Sequence, residues 1–179
     1  TIALFLCFQS GFEGIINNWT TTYLTDRLSV GQSGALYALS SFVAGMVIMR
    51  LLIGSIFRSF SSKKLLILSF FLILPGLILL KIAPSFNISI AGLVLLGAGL
   101  SGGFPIMLGF VGNLYSELSG TAFSLVFFIA LIGNTLINLL MGFVAQKFGI
   151  EHWITFALAE TVIMILLETI IVNKTKNIG

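Results

Sequence analysis

The chain has 179 residues, 58% of them hydrophobic and 8% charged, with a formal net charge of +3 and a mean hydropathy of +1.13. Soluble domains are about 45–50% apolar and about 25% charged, so this composition excludes a water-soluble globular domain and indicates an integral membrane protein. The nine Lys and Arg residues are scattered between apolar blocks, which argues against a nucleic-acid surface, and Cys7 is the single cysteine, which excludes an intrachain disulfide or thiolate metal cluster.

The opening run TIALFLCF has no initiator methionine and no basic n-region. It therefore reads not as a signal peptide but as a chain cut within or just before a helix, the expectation for a fragment of something longer. A bilayer core about 30 Å thick takes about 20 apolar residues at 1.5 Å rise each. Six such runs are read, at about 1–24, 33–57, 65–82, 88–115, 121–148 and 153–172. Residues 1–179 are thus expected to form one all-α, six-helix transmembrane domain with short connections. Arg58, Lys63, Lys64, Lys174 and Lys176 fall on one side, and Arg27, Lys81 and Lys147 on the other. This modest bias places the C-terminus in the cytoplasm.

The first span carries the sharpest polar signal, in GFEGIINNWTTTYL. Glu13 lies ten residues before Tyr23, about 15 Å from that interface and near the bilayer midplane. At 100° per residue, Gln9, Glu13, Asn17 and Thr20 share a stripe, with Trp19 off it. In the second span Ser33, Tyr37, Ser40 and Ser41 cluster on one side. Arg50 lies on the other side of that helix, where a structural partner is expected rather than a solute. The third span has no charge or amide within its apolar run and reads as an outer wall.

The fourth span is rich in glycine and broken near Pro105, with Gly99 and Gly103 as a small-residue pair for close packing. In the fifth, Asn134 and Asn138 share a face with Phe127, Leu131 and Met141. In the sixth, Glu160 lies about 10 Å in from Trp153, and Glu168 is close enough to an interface to snorkel. His152 reads as a loop residue. Polar faces on the first, second, fourth and fifth spans imply a polar cavity between them. A plainer reading of Asn134 and Asn138 is hydrogen bonding between helices, worth about 0.6–2 kcal/mol each.

The hairpin GSIFRSFSSKK, the glycine-rich GFP helix and SGTAFSL…IGN…MGFVAQKFG together resemble the C-terminal half of a major facilitator superfamily transporter. Gly11, Glu13, Trp19, Tyr23 and Leu24 are similar to the first-helix signature of fucose/glucose permease-type sugar symporters. The resemblance implies helices seven to twelve of the transporter, a 3+3 inverted repeat, and an N-terminal six-helix half absent from this chain. SGFEG and SGGFP, irregular stretches at matching places in the two repeats, point to a binding site.

The function expected is secondary active transport of a small polar solute, with a sugar as the leading class, in a plasma membrane of bacterial inner-membrane type. Glu13, Asn17, Trp19, Thr20, Tyr37, Phe127, Asn134 and Asn138 are the candidate solute contacts. Low dielectric favours a neutral carboxyl group, so Glu13 is also the candidate proton-coupling residue, with Glu160 as the second. No cofactor, metal or catalytic residue is expected. Intramembrane catalysis lacks a histidine–glutamate metal pattern or a nucleophile with a base in reach. Efflux of amphipathic compounds and a non-transporting six-helix module are the competing readings.

Overall fold

The computed structural model describes residues 1–175; Lys176, counted above in the charge bias, lies outside them. The regular structure among the described residues is helical: α1 (Ile2–Leu28), α2 (Gln32–Gly54), α3 (Ser62–Ile82), α4 (Phe86–Leu100), α5 (Gly103–Leu114), α6 (Ser119–Phe148) and α7 (Trp153–Thr175). The six expected spans are present, with α4 and α5 forming one interrupted crossing of 29 residues. Five crossings are long and apolar enough to traverse a bilayer. The 27-residue α1 has the length, but Gln9, Glu13, Asn17 and Asn18 make it less apolar than the others. That makes α1 the helix whose lining must be provided by protein.

The break between α4 and α5 follows from local chemistry. Ser101 and Gly102 separate them, and Pro105 sits in the first turn of α5, where its missing N–H leaves no helical hydrogen bond unmade. SGFEG behaves differently from the irregular stretch expected of it, because α1 runs through it without interruption. Its glycines serve close approach instead. A Cβ at Gly11 would collide with Ile137, and one at Gly14 with the Asn134 and Asn138 amides. Gly133 answers from α6, its Cα pressed against Cys7.

Packing is organised by such contacts. The largest interfaces are α1 with α6, α2 with α4, and α3 with α4, followed by α1 with α7. Exchanging α1, α2 and α3 with α4/α5, α6 and α7 maps α1–α6 onto α4–α2 and α1–α7 onto α4–α3, the pattern of an inverted repeat. At the α2–α4 crossing, Gly97 faces the carbonyl of Phe42 and Gly45 that of Val94. Gly99 and Gly103, expected as one packing pair, serve two neighbours across the break: Gly99 meets Ser69 and Ile73 of α3, and Gly103 meets Gln9 of α1.

At the end of the bundle where α1 finishes, Tyr23 Oη donates to the carbonyl of Leu80 (3.0 Å) and Arg27 donates to that of Lys81 and to Tyr23 Oη. These are among the last carbonyls of α3, which have no helical donor. Trp153, fully buried at the start of α7, meets Tyr23 edge-on with centroids 5.5 Å apart. One tyrosine thus pins three helices. On the opposite surfaces, α2 and α6 leave Leu36, Val43, Val47, Leu51, Leu131 and Leu139 exposed, so the bundle does not bury its apolar residues by itself.

Candidate functional site

Glu13 sits near the middle of α1, half-buried, with Asn17 and Asn18 exposed on the following turn. Its Oε1 is buried without a hydrogen-bond partner. Gln9, from the preceding turn of α1, is its hydrogen-bonding side-chain neighbour, and the charge of Arg50 of α2 acts on the carboxyl group without an ion pair between them among the described residues. The other helices add little charge. The sequence of α4 and α5 contains no ionisable residue, and α6 has only Lys147 at its far end.

The stripe expected on α1 divides between two environments. Gln9 is 1% exposed, its Nε2 donating to the Leu100 carbonyl at the α4–α5 break (2.9 Å), while its Oε1 has no partner. Asn17 is exposed and donates to the Glu13 carbonyl (2.8 Å). Thr20 is fully buried, which corrects its expected place on an open polar face. A 100° period assigns residues to a face of the helix, but not the neighbours that cover it.

Trp19 lies over Gly142 of α6, with Nε1 buried and unpartnered. Tyr37, 68% exposed, stands on the open side of α2. Phe127 stacks on Phe104 of α5 with centroids 6.4 Å apart, which gives the α5–α6 contact an aromatic platform.

The two asparagines of α6 act as ties. Asn134 Nδ2 donates to the Ser10 carbonyl (2.8 Å), Asn138 Nδ2 to the Asn134 carbonyl (2.9 Å), and Asn18 Nδ2 to Asn138 Oδ1 (2.9 Å). Their helix-bridging role, expected as the plainer reading, is therefore present. Both remain half-buried, so their outer atoms border the open surface.

Glu160 differs from Glu13. It is 3% exposed, both carboxyl oxygens lack partners, and Cys7 is the titratable group on which it acts. Glu168, expected to snorkel to the interface, is instead buried, and the charge of Lys63 of α3 acts on it. His152 is exposed beside Phe148 at a helix connection, as its sequence position suggests.

The polar cavity expected between the first, second, fourth and fifth spans takes another form. A cavity of about 590 Å³ lies where α1 begins, lined by Ala3, Leu114, Tyr115, Thr121, Leu125 and Lys174 among others, and Glu13 is not part of it. The polar groups near Glu13 border a surface of the bundle. Arg50 completes that surface: it is exposed, and its Nε points at the Ser101 carbonyl at a long 3.4 Å. The Ser101 carbonyl is the structural partner expected of Arg50; the reach of its charge to Glu13 was not expected. The signal available was an arginine at membrane depth, which is costly unless it functions.

A family model of the Major Facilitator Superfamily matches residues 2–173. An uncharacterised transporter, y4wD, of Sinorhizobium fredii (strain NBRC 101917 / NGR234) is 30% identical over 94 residues, which is 52% of this chain and 25% of that protein. The crystal structure of the POT family transporter PepTSo superposes with a TM-score of 0.71 at 25% identity, covering 94% of this chain and 36% of that one. The chain therefore spans well under two thirds of the proteins it matches.

Proposed function

The chain belongs to the Major Facilitator Superfamily, and from that premise we propose that residues 1–179 form the C-terminal half of a secondary active transporter for a small polar solute, driven by a proton or another cation. The similarity of the first helix to fucose/glucose permease-type symporters makes a sugar the first class to test. A second six-helix half would cover the exposed apolar faces of α2 and α6. The charge bias favours a cytoplasmic C-terminus, and a bacterial inner membrane is the proposed location.

One observation carries the reading: Glu13 is placed at mid-helix and half-open, with Gln9 as its hydrogen-bonding side-chain neighbour and one carboxyl oxygen, Oε1, buried without a partner among the described residues. Buried polar atoms in folded proteins nearly always have partners, and a carboxyl group at membrane depth marks a solute or proton path more often than it serves as glue. Asn17, Asn134, Asn138 and Tyr37 would supply neighbouring donors and acceptors, with Phe127 and Trp19 as apolar platforms. Thr20, enclosed, would serve packing. Of the two carboxyls proposed for coupling, Glu13 is preferred because solute and water can reach it, and Glu160 is the reserve.

The experiment is uptake by the complete gene product that contains this chain, in vesicles with and without an imposed pH gradient. Glu13→Gln is expected to abolish gradient-driven accumulation, a loss of at least about tenfold, while exchange of solute across the membrane persists. Accumulation at the wild-type level in that variant would remove the proposal.

A further inference from the structure

The cavity of about 590 Å³ takes no part in the reading of Glu13. It is enclosed by the first turn of α1, the last of α5, the opening turns of α6 and the last of α7, with Tyr115 and Leu118 on the connection between α5 and α6. Along α6 its lining runs from Thr121 to Val126, about 8 Å at 1.5 Å per residue. The cavity therefore enters the apolar layer from one end of the bundle. Its volume falls in the range of small-molecule sites, about 300–1,000 Å³.

The lining is apolar in its body and polar at four places: Lys174 and the hydroxyls of Thr1, Tyr115 and Thr121. None of these four side chains has a hydrogen-bond or ion-pair partner among the described residues. Glu117, on the same connection, is exposed and does not line the cavity, so Lys174 is the charged side chain that does. An ammonium on an apolar stem beside such a space suits a ligand with a long apolar part and an anionic head.

The surroundings say where that ligand comes from. Val162, Leu166 and Ile170 of α7 are exposed, and at four-residue spacing they form one ridge that Lys174 continues. No residue of α2, whose open face awaits a second half, lines the cavity. In the repeat α7 is the counterpart of α3, which exposes Ile67, Phe71 and Ile78 as an outer wall. An apolar ridge on an outer helix thus leads from the hydrocarbon layer to the one lysine at the cavity.

We propose that this cavity is a binding site for an anionic phospholipid, with one acyl chain in the cavity, another along the α7 ridge and the phosphate held by Lys174. A lysine binds phosphate as a point charge, and the exposed Tyr115 offers the head group a hydroxyl. Basic residues are also enriched at this end in sequence, with Arg58, Lys63 and Lys64 on the same side, which favours anionic over neutral lipid there. The site is separate from Glu13 and does not depend on what is transported.

The test uses the complete gene product in neutral-detergent micelles, titrated with phosphatidylglycerol or phosphatidylcholine of the same chains and read by native mass spectrometry. The wild type is expected to hold phosphatidylglycerol in preference. Ala122→Trp, which fills the cavity, is expected to hold one fewer, and Lys174→Gln to weaken that one about fivefold. Lys64→Gln, a neutralisation at the same end outside the cavity, should leave it unchanged. Should Ala122→Trp not fold, the comparison of Lys174→Gln with Lys64→Gln decides alone. Glycerol 3-phosphate, which has the head group's charge without acyl chains, should not displace the lipid. Equal retention of the two lipids by the wild type overturns the inference, as does full phosphatidylglycerol retention in Ala122→Trp or Lys174→Gln. An equal loss in Lys64→Gln, or displacement by glycerol 3-phosphate, also overturns it, because the attraction would then belong to the surface or to phosphate alone.

Discussion

Glu13 and Glu160 are the same side chain in two helices of one bundle, and the fold treats them oppositely. Glu13 is half-buried, one turn from the buried Gln9 and one turn from the exposed Asn17, with the charge of Arg50 acting on it. Glu160 is sealed, with neither oxygen partnered and Cys7 as its titratable neighbour. An ionised carboxylate can persist beside a guanidinium that water or solute also reaches; in an enclosed apolar site a charge without a partner costs several kcal/mol. The difference teaches that a glutamate in a membrane helix is a coupling candidate only where something can come to it.

The strongest way to break this contrast is to reverse the charge at each position. Glu160→Lys would force an ammonium, or a long neutral amine, into a site built for a compact carboxyl group. The cost of several kcal/mol is comparable to the whole stability of a domain, about 5–15 kcal/mol. Loss of monodisperse protein after extraction is the expected result. Glu13→Lys is expected to fold, since its head group can extend to the open surface, while transport is lost. Equal yields of the two variants, measured by fluorescence-detected gel filtration, would refute the distinction.

A smaller effect tests whether the polar surface around Glu13 is held by the asparagine ties. Asn138 both donates to α6 and accepts from Asn18 of α1. Asn138→Ala should lower stability by about 1 kcal/mol, read as a drop in melting temperature. Transport should fall too if the tie positions α1. An unchanged melting temperature would mean that glycine-mediated contact alone holds α1 on α6.

Much of the fold was legible from sequence because apolar runs of membrane length are hard to disguise, and the six spans emerge close to their expected bounds. The interruption in SGGFP was legible for the same kind of reason, a proline and two adjacent glycines. SGFEG was misread because glycine has two uses that look alike in sequence: releasing the backbone and admitting a neighbour. Gly11 and Gly14 admit Ile137 and the α6 asparagines. At the site, Glu13 and its depth could be read from position alone. The burial of Thr20, the enclosure of Glu160 and the identity of Arg50's partner, the Ser101 carbonyl, could not, since each depends on which helix lies alongside.

The finest test leaves the shape of Glu160 intact and changes only its capacity to hold a proton. Glu160→Gln replaces a carboxyl group with an amide of nearly equal volume, so packing against α1 is preserved and no cavity or charge is introduced. If Glu160 is a sealed structural group, the melting temperature should shift by no more than about 1 kcal/mol of stability, and gradient-driven uptake should stay within about twofold of wild type. Glu13→Gln, the same chemical change a helix away, is expected to abolish that uptake. Parallel losses in the two variants would mean that protons reach both carboxyls during the cycle. Glu160 would then join the transport path through a conformation in which α7 separates from α1.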